Sequence, residues 1–243
     1  MTLTKPTVMS PYYAEFIGTL IIILLGDGAV AGALLKGTKS ENDGWLTIVM
    51  AWGLAVTLAI FAVGRISGAH LNPAITIALY LTGDFPQDKV AGYIIAQFAG
   101  AFVGAILVWL HFLPHWERTD SASKKLAVFC TGPAVRSTPA NLVSEVIATG
   151  VLVFAILFIG ANEFAAGINP LIVGGLIISI GLSLGGTTGF AINPARDLGP
   201  RLAHFILPIP GKGSSDWSYS WIPVVGPVLG GVLGAWMFKA LFV

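Results

Sequence analysis

The chain has 243 residues, of which 55% are hydrophobic and only 10% charged, with a mean hydropathy of +0.83; a soluble domain carries about 25% charged residues. A net charge of +1 offers no basic face to nucleic acid, the single cysteine, Cys130, excludes an intramolecular disulfide, and four scattered histidines leave little for a metal site. The apolar residues come in runs of about 20, the length that crosses a hydrocarbon core of about 30 Å, so the chain reads as an all-α polytopic membrane protein.

In chain order, the first run, Tyr12–Leu35, follows eleven residues and is too long for a signal-peptide core, so it is expected to stay as a span. Trp45–Gly64 is the second. His70–Leu81, H-L-N-P-A-I-T-I-A-L-Y-L, is apolar but too short to cross and reads as re-entrant. Val90–Phe112, Leu142–Gly160 and Ile168–Gly186 are further spans. A second short segment, Ile192–Ile206, precedes the last span, Trp217–Leu241. Trp45, Trp109, Trp116, Trp217 and Trp221 sit near run ends, where interfacial aromatics belong.

Both short segments begin with Asn-Pro-Ala after a glycine-containing loop: S-G-A-H-L-N-P-A and T-G-F-A-I-N-P-A. Three complete spans separate Asn72 from Asn193, an odd number, so two segments that dip in and return must enter from opposite faces. A-E-F-I-G-T (14–19) opens the first half and S-E-V-I-A-T-G (144–150) the second. The expectation is one transmembrane domain over 1–243, made of inverted repeats at about 11–112 and 139–241, each with three spans and a half-helix. Inverted repeats whose broken helices meet at the midplane mark a transport pathway. Gly28/Gly32, Gly100/Gly104, Gly181/Gly185 and Gly226/Gly230/Gly234 have the spacing of close-packing helix seams.

Asn-Pro is an ordinary helix start, Asn as N-cap and Pro at the first position, and Asn169-Pro170 opens a span without the alanine. Two Asn-Pro-Ala triplets, Asn72-Pro73-Ala74 and Asn193-Pro194-Ala195, each opening a half-span in its own repeat, are specific. Two helix N-termini facing each other create positive potential that repels cations and protons, while Asn72 and Asn193 offer amide donors to a passing neutral molecule. Arg196 sits in the first turn of the second half-helix, at the wrong end of its dipole. The first half-helix has Ile75 at that offset, so the fold does not require the charge, and an intramembrane charge is expensive and usually functional. Glu15 and Glu145 match in the two repeats; each is either an interfacial carboxylate at a helix end or a buried acceptor for backbone N–H groups of an irregular loop. Asp27, in G-D-G, breaks the apolar pattern without an evident partner. His111 and His115 have i,i+4 spacing but no third ligand.

These motifs, with P-V-V-G-P-V-L-G-G near the end, make the chain similar to the major intrinsic proteins, the aquaporin family, and to their glycerol-conducting branch. The resemblance covers nearly the whole length. It implies a passive channel for glycerol, water and other small uncharged solutes, no cofactor, a homotetramer with a pore in each protomer, and a cell-membrane location with cytoplasmic termini. It places the narrow filter at Trp52, Gly181, Phe190 and Arg196. Water-selective members typically have histidine where Gly181 stands, so the glycine should widen the ring; Trp52 and Phe190 would form an apolar corner and Arg196 would donate to hydroxyls across from it. It also makes Asp197 a marker of the glycerol-conducting branch, and favours the loop-supporting role for Glu15 and Glu145.

Charge opposes the implied orientation. With both termini inside, the inner face holds Lys5, Arg65, Lys89 and Lys239, and the outer face Lys36, Lys39, Arg118, Lys124, Lys125, Arg136, Arg196, Arg201 and Lys212, the reverse of the positive-inside rule. Two other classes share some of these features. A secondary active transporter also uses inverted repeats and broken helices, but ionisable groups along the route are few; a membrane-embedded enzyme lacks any catalytic constellation. Within the channel class, undissociated lactic acid is an alternative substrate.

Overall fold

The computed structural model describes residues 9–243, which leaves Lys5 outside the described residues. Ten helices and no strand are found among them. Five are long and apolar enough to span a membrane: α1 (Pro11–Leu34), α2 (Gly44–Ser67), α4 (Gln87–His111), α7 (Thr138–Gly160) and α10 (Ile222–Phe242). The remaining crossing, α8 (Asn169–Ser183), is shorter than the Ile168–Gly186 span expected. Its 15 residues reach only about 22 Å; the chain then passes Gly185-Gly186 in a turn that continues to Thr188. The short segments are α3 (Pro73–Leu81) and α9 (Pro194–Ile206). Two further short helices, α5 (Leu113–Arg118) and α6 (Ala122–Phe129), fill the link between the halves, where the sequence suggests no element.

Local chemistry starts the half-helices. Asn72 Oδ1 accepts from Ala74 N at 2.9 Å, Asn193 Oδ1 accepts from Ala195 N at 3.0 Å and Arg196 N at 3.3 Å, and each following proline takes the first helical position. All three asparagine-capped donors are ones the helix itself cannot satisfy.

Glycine sets how closely the long helices approach. A Cβ on Gly100 or Gly104 of α4 would lie 2.2 Å from Phe16 O or 2.9 Å from Leu20 O of α1. The same contact recurs 130 residues on: a Cβ on Gly230 or Gly234 of α10 would lie 2.3 Å from Val146 O or 2.4 Å from Gly150 O of α7. A third seam, which no G-xxx-G spacing announces, has Gly53 of α2 and Gly174 of α8 each 2.7 Å from the other's carbonyl oxygen by the same measure. Gly28 and Gly32 do not form a helix seam: nothing approaches Gly28 within 4 Å, and Gly32 meets Ser40 of the following loop. Gly181 and Gly185 belong to packing around Phe190 rather than to a plain helix pair, as described below.

Candidate functional site

The loops that lead into α3 and α9 converge at the centre of the bundle. Asn72 Nδ2 donates to Ile192 O at 2.7 Å, and Asn193 Nδ2 donates to Leu71 O at 2.8 Å. The two asparagines thus brace each other's loops, and one amide hydrogen on each is already committed, leaving one for a solute rather than two.

Backbone conformation in these loops is costly. Ala69, Leu71, Phe190 and Ile192 all have positive φ, at 51°, 52°, 38° and 44°, where non-glycine residues are strained by about 1–3 kcal/mol each and a β-branched residue such as Ile192 is a marked outlier. Two buried carboxylates hold them there. Glu15 accepts from Leu71 N (2.6 Å), His70 N (3.0 Å), Ser67 Oγ (2.6 Å) and Gln97 Nε2 (2.8 Å). Glu145 accepts from Ile192 N (2.9 Å), Ala191 N (3.0 Å) and Thr188 Oγ1 (2.6 Å). Neither carboxylate is exposed at an interface; both are almost fully buried.

A cavity of about 80 Å³ runs past both asparagines and is lined by Trp52, Phe190 and Arg196 as well. That is room for several waters in file. Ile22, Val56, Ile60, Leu152, Ile156, Val173 and Ile177 supply hydrocarbon; His70, Asn72, Asn193 and Arg196, with the loop backbone, supply polar atoms. The lining is therefore amphipathic, mostly hydrocarbon with a few polar groups.

Arg196 is fixed from three sides. Its Nη1 lies 3.2 Å from Asp27 Oδ1 and donates to Phe129 O at 3.3 Å, and its guanidinium carbon sits 4.2 Å from the centre of the Trp52 ring. The arginine therefore stacks on Trp52 rather than standing across a gap from it, because Asp27 draws it toward α1. Asp27, partnerless by sequence, has its partner here. Trp45, absent from the sequence reading of the site, packs edge-on to Phe190 with ring centres 5.7 Å apart and donates to Gly181 O at 3.1 Å.

Gly181 does not line the cavity. A Cβ there would lie 2.7 Å from Val49 Cγ1 and 3.1 Å from Phe190 Cζ, so its lack of a side chain is what allows Phe190 to lean in. Asp197 is also off the cavity: it accepts from Thr131 N and Oγ1 at 2.9 and 2.7 Å and from Arg201 Nε and Nη2 at 2.7 and 2.8 Å. Arg201 goes on to donate to Thr131 O, Ser215 O and Asp216 O, so this pair ties α9 to two loops. His115 Nδ1 lies 3.0 Å from Lys36 O. No cluster of three or more metal-ligating side chains occurs among the described residues.

A bundle of apolar helices enclosing a narrow amphipathic passage, with two half-helices meeting inside it, defines a membrane channel. The major intrinsic protein family model matches residues 2–238, and the chain belongs to that family; it is a transport protein, not an enzyme. It is 62% identical over 234 residues to a probable glycerol uptake facilitator protein of Thermotoga maritima, covering 96% of this chain and 100% of that protein. It is 58% identical to the glycerol uptake facilitator protein of Bacillus subtilis, covering 96% and 85%. The crystal structure of the aquaglyceroporin from Plasmodium falciparum superimposes with a TM-score of 0.83 at 31% identity, over 95% of each chain.

Proposed function

We propose that the chain is a passive channel for glycerol and other small uncharged polyols, and for water, with Trp52, Gly181, Phe190 and Arg196 as its filter. The observation that carries this reading is the amphipathic passage, whose lining combines an arginine and two asparagines with mostly hydrocarbon side chains. A polyol carries hydroxyls along a carbon chain and can satisfy both kinds of lining at once; an ion leaves the hydrocarbon unmatched and loses its hydration. Glu15 and Glu145 serve as loop supports, and one hydrogen on each asparagine amide remains for the solute. The names of the relatives point the same way.

We further propose that the two halves are inverted repeats, that the protein is a homotetramer in the cell membrane, and that both termini are cytoplasmic. The shared seams support the first. The excess of outer cations has causes of its own: Arg196 and Arg201 pair with Asp27 and Asp197, Arg136 pairs with Asp216, Lys125 donates to Pro210 O, and Lys212 caps the carbonyls of His204, Phe205 and Leu207. Lysine at a helix C-terminus is favoured by the dipole. Proteoliposome light scattering under glycerol, water and lactic acid gradients is the test. Glycerol is expected to equilibrate far faster than in empty liposomes; a glycerol permeability equal to theirs overturns the reading, and faster lactic acid than glycerol makes the acid the main substrate.

A further inference from the structure

Asp27 is a fully buried carboxylate in the membrane-spanning α1. Neither of its oxygens receives an aligned hydrogen bond. Its compensation is the ion pair with Arg196, whose side chain is 8% exposed against 0% for Asp27. No second carboxylate bridges Arg196 among the described residues, since Asp197 is taken by Arg201. Asp27 is absent from the cavity lining, so it stands behind the arginine and reaches a solute only through it. Its neighbour Gly26 completes the arrangement: a Cβ there would lie 2.5 Å from Trp52 Cε3, so the bare backbone is the bed on which the tryptophan ring lies, and the ring is in turn the bed for the guanidinium.

The second half of the chain shows that the fold does not need this dipeptide. The 130-residue shift that carries Glu15 onto Glu145 carries Gly26-Asp27 onto Ile156-Leu157, where Ile156 simply lines the cavity. The shift of 121 that carries Asn72 onto Asn193 carries Ile75 onto Arg196. Asp27 and Arg196 thus each occur in one half only, and they meet at the same end of the passage. A buried carboxylate with one partner is costly unless the pairing serves something, and here the partner is the charged group of the constriction.

Resting on the reading of Arg196 as part of the filter, we propose that Asp27 is a positioning and specificity-determining residue. It holds the guanidinium over the Trp52 ring and cancels its charge, so the constriction presents a neutral hydrogen-bond-donor edge and not a net cation. Small anions then find no counter-charge, while polyols still find donors. Removing a unit charge within a few ångströms of the path changes an anion's barrier by about tenfold or more at an effective dielectric of about 20.

The test measures nitrate and formate permeability of proteoliposomes beside glycerol and water permeability, for the wild type, Asp27→Asn, Asp27→Ser and Asp27→Glu. Wild-type and D27E vesicles should be as tight to both anions as empty liposomes. D27N and D27S should each raise anion permeability about tenfold or more and lower the ratio of glycerol to water permeability, with water itself within about twofold. Wild-type vesicles that conduct glycerol, beside D27N and D27S vesicles that stay anion-tight with an unchanged ratio, overturn this role and leave the channel reading standing. A leak in D27E equal to that in D27N also overturns it, by showing that packing and not charge matters. If neither uncharged variant folds, Asp27 belongs to the fold and the proposal falls. Wild-type vesicles without glycerol flux reject the channel reading itself.

Discussion

Arg196 looks misplaced as a cation in the first turn of a helix, where the dipole opposes it. The structure supplies the compensation in Asp27, in Phe129 O and in the face of Trp52. The glutamates show the same economy of charge: Glu145 takes three donors and Glu15 four, most from loops whose backbone is strained. A lost carboxylate is not replaced by lipid, which offers no donors or acceptors. Each orphaned buried donor costs about 1–3 kcal/mol. Glu145→Ala should therefore destabilise the protein by about 3 kcal/mol or more, lowering its unfolding temperature in detergent and removing glycerol flux. An unfolding temperature equal to the wild type's would show that Ala191 N, Ile192 N and Thr188 Oγ1 find other partners. Gly181→His is a separate test of the filter. Its side chain must displace Val49 or Phe190, so glycerol flux should fall several times more than water flux, and equal losses would count against this ring as the site of discrimination.

At the scale of elements, helix separation is set by a few glycines facing backbone. A methyl group on Gly230 meets Val146 O at 2.3 Å, and overpacking of this kind costs about 1–3 kcal/mol. Gly28→Ala meets nothing within 4 Å and gains about 1 kcal/mol of helix propensity. Thermal unfolding in detergent should therefore rank Gly28→Ala at or above the wild type and Gly230→Ala several degrees below it; the reverse order would place the seam elsewhere. Spacing alone does not separate these two glycines, because a G-xxx-G pair marks one helix face without saying what that face meets. Gly53 and Gly174 make as close a contact without the motif, their approach depending on a partner far along the chain. The half-helices were legible for the opposite reason: Asn72-Pro73 and Asn193-Pro194 carry their own caps, so the signal is local. The early end of α8 was not, since an apolar run continues past Ser183 while Gly185-Gly186 turns the backbone. Asp27 was visible as an exception to the apolar pattern, but its meaning depended on Arg196, which only the folded chain brings within 3.2 Å.

For the whole molecule, the symmetry of packing contrasts with the asymmetry of the lining. Shifted by 121 residues, Trp52, Ile60, Ala69 and Ile75 become Val173, Gly181, Phe190 and Arg196. Val173, Ile60, Ala69 and Ile75 line the cavity, as do Trp52, Phe190 and Arg196 but not Gly181, so aromatic and cationic lining in one half has aliphatic lining as its counterpart in the other. On the proposed reading of Trp52, Phe190 and Arg196 as the filter, discrimination is concentrated at one end, and the other end needs only to stay wet and unobstructive. The ionisable groups follow the same division. Glu15 and Glu145 are held by loop and helix donors, Asp197 by Arg201 and Thr131, and Asp27 is ion-paired with Arg196; of these only Arg196 reaches the cavity. A coupled transporter needs a site where binding of a proton or sodium ion changes which face is open; among the described residues no carboxylate lines the passage, and His70, the other ionisable group in its lining, is hydrogen-bonded to Thr76 Oγ1 at 3.1 Å. Glycerol flux into proteoliposomes should therefore follow the glycerol gradient alone. With a proton or sodium gradient imposed in either direction, the initial rate should stay within about 10% of the rate without it, because an ion that does not bind cannot bias the two faces. A rate that rises with an inward gradient, falls with an outward one and loses that dependence on collapse of the gradient would show coupling, and would require one of the four paired carboxylates to leave its partner during transport.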